Sequence, residues 1–243
     1  MNTLTRKQRE IKEREELILE VARRMLLEVG YLGMTMDRIA EVTEYSKGTI
    51  YQHFSCKEDI VAAFCIQTEG ILLDMFERAA AFKGRSRERM VAIGQAYELF
   101  TRLHPDRFRT GQIIMAASIK AKASPEHLSR LQAIDSQIYA IMTGIVRDAV
   151  SQGDLELPEA CNPGELTFGC WSLAFGAYSL ILAGVPLDRL GIEDPFATVR
   201  KNCQAFLDGL AWRPLSSEWD YEKTYERIRK EVFPDEFRRA HAG

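Results

Sequence analysis

Apolar residues recur along this chain at spacings of three and four, and no useful stretch alternates with period two, so the pattern predicts helices throughout and an all-α fold. The first helix is expected from about Arg14 to Val29, burying Ile18, Val21, Ala22, Met25 and Val29, with Gly30 as its stop. Thr35 is placed to cap a short helix from Met36 to Thr43 whose buried side is Met36, Ile39, Ala40 and Val42. Ser46 caps another, from Lys47 to about Phe54, with only Glu44 and Tyr45 between the two. On that second helix Ile50 and Phe54 form the inward pair, leaving Lys47, Gly48, Thr49, Tyr51, Gln52 and His53 outward. One cation, hydroxyls, an amide and an imidazole suit phosphate oxygens and base edges, and Gly48 lets the backbone come close to a duplex. The pair reads as a helix-turn-helix, with a solvated helical hairpin as the bland alternative.

Beyond it, a helix from about Glu58 to Phe82 would span about 36 Å and serve as a lever between head and body. Another begins at Arg85-Ser86, turns Ile93, Ala96, Tyr97, Phe100 and Leu103 inward, and stops at His104-Pro105. Ser124-Pro125, Asn162-Pro163 and Asp194-Pro195 each place a capping residue before proline at a first helical position. The first of these helices is long and amphipathic, carries Leu128 to Ala149 on one side, and ends at Gly153. The second carries Gly169, Gly176 and Ala183 seven residues apart beside Cys170, Ala177 and Gly184; the third carries Phe196, Val199, Cys203, Phe206 and Leu210. Both seams suit a four-helix bundle between two copies of the chain, or packing within one. Ser216-Ser217 is expected to cap a last helix bearing Tyr221, Tyr225, Ile228 and Val232, over the dimer or over a pocket. The expected organisation is a DNA-binding head over 1–58, a ligand-binding and dimerisation body over 59–211, and a helical extension over 212–243.

Composition narrows the chemistry. The net charge is −3, and the first sixty residues carry ten lysines and arginines against eleven acids, so positive charge is local rather than regional. It gathers at Arg6, Lys7, Arg9, Lys12 and Arg14, interleaved with glutamates, and again at Arg38, Lys47 and Lys57. Five cysteines, Cys56, Cys65, Cys161, Cys170 and Cys203, form no CxxC pair, which suits a reducing cytoplasm. Leu166 to Val185 has the length of a membrane span, yet its glycines and serines and its lack of a basic flank favour an interface helix. His53, His104, His127 and His241 show no metal-ligand spacing, and neither nucleophile elbow, P-loop nor dinucleotide fingerprint occurs, so neither a metal, a cofactor nor an enzyme is expected.

The run Ser46-Lys47-Gly48-Thr49-Ile50-Tyr51-Gln52-His53-Phe54, followed by Lys57-Glu58 and preceded by Gly30-Tyr31 and Thr35 to Ala40, resembles the DNA-binding head of the tetracycline-repressor (TetR) family over about residues 14 to 62. The resemblance implies that Lys47, Gly48, Tyr51 and Gln52 approach bases or sugars while Thr35, Ser46, His53 and Lys57 hold phosphates, with Arg38 and Thr49 beside them. It also implies a homodimer through helices near 163–184 and 195–211, a palindromic operator, and release by an unidentified small-molecule effector. Met75, Phe76, Phe100, His104, Phe108, Met115, Trp171, Phe175 and Tyr178 would suit a lipophilic or aromatic effector, although the same residues describe an ordinary core. Two departures stand out. Glu44-Tyr45 replaces the family's usual Gly-Val in the turn, which leaves open a helical interaction protein that has lost DNA binding. Cys56 replaces the usual Ser or Asn cap, which predicts a weaker cap and leaves open a redox-responsive regulator.

Overall fold

The computed structural model describes residues 5–116, 123–158 and 161–241, and among them it contains eleven α-helices and no strand. These are α1 (Arg6–Gly33), α2 (Met36–Thr43), α3 (Lys47–His53), α4 (Lys57–Ala80), α5 (Ser86–Leu103), α6 (Pro105–Ala116), α7 (Pro125–Ser151), α8 (Pro163–Leu182), α9 (Pro195–Gly209), α10 (Tyr221–Glu231) and α11 (Pro234–Ala240). The helices form two compact units: residues up to Gly70 with Asp106–Ile134, and Ile71–Pro105 with the chain from Asp135 onward. The chain of α4 and that of α7 each pass from one unit into the other.

The first unit closes around Ile18, Val21, Ala22, Leu26, Met34, Ile39, Ile50, Phe54, Ile60, Val61 and Phe64. Each fully buried aliphatic or aromatic here contributes about 1.5–3 kcal/mol. Helix α1 starts eight residues before the expected Arg14, because Thr5 makes a reciprocal cap: its hydroxyl accepts from the Gln8 N–H, and the Gln8 amide oxygen accepts from the Thr5 N–H. The first turns bury nothing and are laced by Arg6–Glu10 and Lys12–Glu16 pairs, so hydrophobic spacing could not detect them. Gly30 breaks the helix as expected, at φ 69° and ψ 177°, and a further turn follows to Gly33.

Helix α2 has the expected bounds and the Thr35 cap, but Thr43 rather than Val42 completes its buried side. Residues 36, 39, 40 and 43 form one helical stripe, and Val42 lies off it, exposed. Thr43 tolerates burial because its hydroxyl donates to the Ile39 carbonyl at 2.8 Å. The turn then reverses through Glu44, whose φ of 58° is left-handed and whose N–H returns to Ala40 and Glu41 carbonyls.

At the start of α4, the Cys56 carbonyl accepts from the N–H groups of Asp59 and Ile60. The buried Asp59 carboxylate reaches back to the Ser55 N–H and hydroxyl, so the missing oxygen at Cys56 is offset by a cap from inside the helix. Its other oxygen accepts from the Ser124 N–H and lies 3.3 Å from His127 Nδ1. Burial pushes the Asp59 carboxyl up, but the hydrogen bonds from Ser55, Ser124 and His127 outweigh it and hold the group far below the ordinary carboxylate range. The His127 ring stacks on Phe54, centroids 6.3 Å apart, so the residue that ends α3 is held by the first turn of α7.

In the second unit α5 is buried on nearly every side, and the C-terminal extension packs on it through α10 and α11. Arg87, fully buried, donates to the carbonyls of Trp212 and Gln204 and to Gln204 Oε1, pairs with Asp208 at 2.8 Å, and stacks over the Tyr221 ring. Glu88 accepts from the Arg85 N–H and the Thr224 hydroxyl. Asp220, not Ser216 or Ser217, caps α10; Ser216 instead gives its N–H and hydroxyl to Asp208. Pro105, expected only as a stop, is also the first residue of α6.

Glu44→Gly is expected to raise stability by about 0.5–1 kcal/mol, since glycine carries no left-handed strain and gives back only part of the gain as chain entropy; a lower urea midpoint would contradict this. Asp59→Asn is expected to cost about 1–3 kcal/mol at neutral pH. Because the folded carboxyl sits below its unfolded value, wild type keeps that contribution above about pH 4 and loses it progressively as the pH falls further, so urea titrations of the two proteins should converge in acid.

Candidate nucleic-acid interface

Helix α3 is only seven residues long and buries Ile50 alone within its span. Its start is fixed by Ser46, whose hydroxyl accepts from the Thr49 N–H at 3.1 Å and lies 2.9 Å from the Thr49 hydroxyl. Lys47, Gly48, Tyr51 and Gln52 are exposed, Tyr51 at 53%, and Thr49 and His53 are half-buried. A Cβ at Gly48 would meet only the Ser46 hydroxyl, at 3.7 Å, so this side of the helix is open. An exposed tyrosine and glutamine beside an open glycine make a surface that hydrogen-bonds and stacks without a dry core partner.

The cations around α3 are engaged by the protein. Lys57 donates to the Tyr31 and Met34 carbonyls at 3.0 and 3.3 Å and sits 4.1 Å from the Tyr31 ring centroid. The Tyr31 hydroxyl donates to the buried Glu58 at 2.6 Å; burial first, then that carboxylate, pushes the phenol up. Arg38 donates to the Gly33 carbonyl at 2.9 Å, and Thr35 accepts from the Arg38 N–H. Lys47 is paired with Asp37 at 2.7 Å, which raises the lysine further above its ordinary range. Thr35, Arg38, Ser46 and the exposed face of α3 therefore belong to one end of the head. Sequence reasoning missed Asp37, because residues ten apart across a turn match no helical or strand spacing.

The residues expected to line an effector site divide between the units. Met75, Phe76, Phe100, His104, Trp171, Phe175 and Tyr178 belong to the second unit, Phe108 and Met115 to the first. Within the second unit Phe76, Tyr97, Tyr178 and Phe196 form a chain of ring contacts 5.6–6.4 Å apart, and Trp171 packs against Phe175. Phe100 and His104 pack at the end of α5. Burial pushes the Tyr97 and Tyr178 phenols well up, so both stay protonated. Phe108 is buried in its own unit and Met115 is 61% exposed.

Helices α8 and α9 pack together within the chain. A Cβ on Gly169 would stand 2.6 Å from the Phe206 ring, so this small residue makes room for an aromatic of the same chain. Gly176 faces open space, and Phe168 and Leu180 are more than half exposed. Only 22% of the most apolar window of α8, which has the length and composition of a membrane span, is buried. The five cysteines are free, and burial pushes the Cys170 and Cys203 thiols up to about 12 and about 11. Among the described residues no three histidines, cysteines or acids converge as metal ligands.

Residues 18–64 match the family described as bacterial regulatory proteins, tetR family. Over 54 residues the chain is 44% identical to the HTH-type transcriptional repressor AcnR of Corynebacterium diphtheriae, a match covering 22% of this chain and 28% of that protein. The matched stretch thus spans little more than a quarter of that curated relative. The fold resembles a putative transcriptional regulator from Pseudomonas aeruginosa PAO1, with a TM-score of 0.66 at 18% identity over 82% of this chain and 91% of that one. It also resembles the fatty acid degradation regulator FadR from Bacillus halodurans, with a TM-score of 0.61 at 14% identity over 82% and 96%.

Proposed function

We propose that this chain, whose residues 18–64 match the tetR family of bacterial regulatory proteins, is a sequence-specific transcriptional regulator of that family, acting as a repressor that leaves a palindromic operator when a small lipophilic or aromatic effector binds. The observation that carries the reading is the outward face of α3, where Lys47, Gly48, Thr49, Tyr51 and Gln52 are presented on a helix anchored by Ile50 and capped by Ser46. Lys47, Gly48, Tyr51 and Gln52 approach base edges; Thr35, Arg38, Ser46, Thr49, His53 and Lys57 hold phosphates, directly or by fixing the backbone that does.

Two copies pair through the uncovered faces of α8 and α9, which places two recognition helices on one two-fold axis for half-sites roughly 34 Å apart. The exposed Phe168, Leu180 and Gly176 support this pairing, since apolar area on one helix is more economically covered by a second copy than by water. The ring chain from Phe76 to Phe196 in the second unit is the best-supported effector region.

Lys47→Ala combined with Tyr51→Ala is expected to weaken binding to duplexes selected from a random pool by about 30-fold or more in a salt-titrated gel shift; wild type that selects no sequence would sink the regulator. Leu180→Asp with Phe168→Asp is expected to convert a two-chain species into a single chain with its helical circular dichroism retained. A wild-type mass equal to one chain at micromolar concentration would remove the pairing.

A further inference from the structure

Three cations border α3, and the protein holds them in two different ways. Arg38 and Lys57 are bound to carbonyl oxygens, which fix their position and leave their charge intact. Lys47, at the first position of α3, is bound by a carboxylate: its Nζ is 2.7 Å from Asp37 Oδ2. Both side chains are about two-thirds exposed, so burial does not force the contact, and as an exposed ion pair it adds little to stability. Asp37 lies in the first turn of α2, where the helix dipole favours a carboxylate, and so crosses the turn from one helix start to the next. The first sixty residues already carry one more acid than base, so each local cation weighs heavily in the attraction to a polyanion.

We infer that Asp37 is a positioning and specificity-determining residue of the DNA-binding surface: it holds the Lys47 ammonium at the mouth of the recognition helix and cancels its charge toward DNA of arbitrary sequence. This rests on the regulator reading. Attraction of a protein to random duplex is almost wholly the release of counterions by cations that neutralise phosphates, and a lysine committed to a carboxylate releases none. A cognate site that offers a well-placed base acceptor at Lys47 adds a contact that outlasts the pair with Asp37; on a random sequence the carboxylate beside the ammonium offsets part of its pull on phosphate. The carboxylate thus lowers affinity where there is no sequence match more than where there is one, which is discrimination by weakening the wrong partner.

The test compares full-length wild type with Asp37→Asn, on a duplex that wild type selects from a random pool and on a scrambled duplex of the same composition, between 50 and 200 mM salt. Asp37→Asn is expected to bind the scrambled duplex more tightly, with a log–log salt slope steeper by about 0.9, so that the ratio of its affinities at 50 and 200 mM grows about threefold, and the selected-to-scrambled ratio falls. Asp37→Glu should restore the wild-type slope, and in a Lys47→Ala background Asp37→Asn should have a clearly smaller effect, limited to relieved repulsion between the carboxylate and phosphate. The assignment is overturned if Asp37→Asn keeps the wild-type slope, weakens both duplexes alike, or has the same effect without Lys47. Wild type that binds neither duplex overturns the regulator reading itself, whereas wild type that discriminates while Asp37→Asn is indistinguishable from it overturns the Asp37 assignment alone.

Discussion

A helix of seven residues that keeps its polar face wet cannot hold its own shape. Nucleating a helical turn is unfavourable, and lengths below about 12–15 residues are marginal in water. Helix α3 has one buried anchor within its span, Ile50, so both of its ends must be fixed from outside. Ser46 satisfies the first turn, and Phe54 fixes the last by burying its ring and stacking against His127. The His127 that holds Phe54 is in turn held by Asp59, a buried carboxylate supplied with donors from two segments. The open surface of α3 is therefore a product of polar chemistry behind it.

That arrangement also accounts for Cys56. The thiol position lacks the oxygen that a capping side chain would supply, and Asp59 closes the turn from three residues inside. Glu44 makes a similar case in the preceding turn, where a left-handed residue with a side chain is accommodated because its N–H is still bonded to carbonyls of α2. At Cys56 the cost is taken up by a neighbour, Asp59, whereas at Glu44 the left-handed strain stays with the residue itself.

Much of the fold was legible because amphipathic periodicity and capping residues are local. The caps at Thr35, Ser46, Asn162 and Asp194, and the core positions Ile18, Ile39, Ile50 and Phe100, follow from spacing alone. The polar start of α1 escaped, because Thr5 and Gln8 stabilise it without any apolar stripe. Val42 was misassigned because a stripe of four admits one neighbouring position that sequence alone cannot reject. Pairings such as Lys47 with Asp37, or Asp59 with His127, depend on how separate segments meet, and spacing along a chain carries no record of that. The outward residues of α3 were readable for the opposite reason: a polar face on a short capped helix is conspicuous when its neighbours are all half apolar.

The burial of Arg87 ties one residue of α5 to the segment that follows α9. Two of the groups around that guanidinium, the Trp212 carbonyl and the Tyr221 ring, come from the segment after α9. Shortening the chain there would remove one of the guanidinium's acceptors and the ring that covers it, leaving Asp208 and Gln204 of α9 to hold the charge in a wetter site. That one internal residue of α5 and the segment after α9 are therefore coupled, and a change in either alters the surroundings of the other.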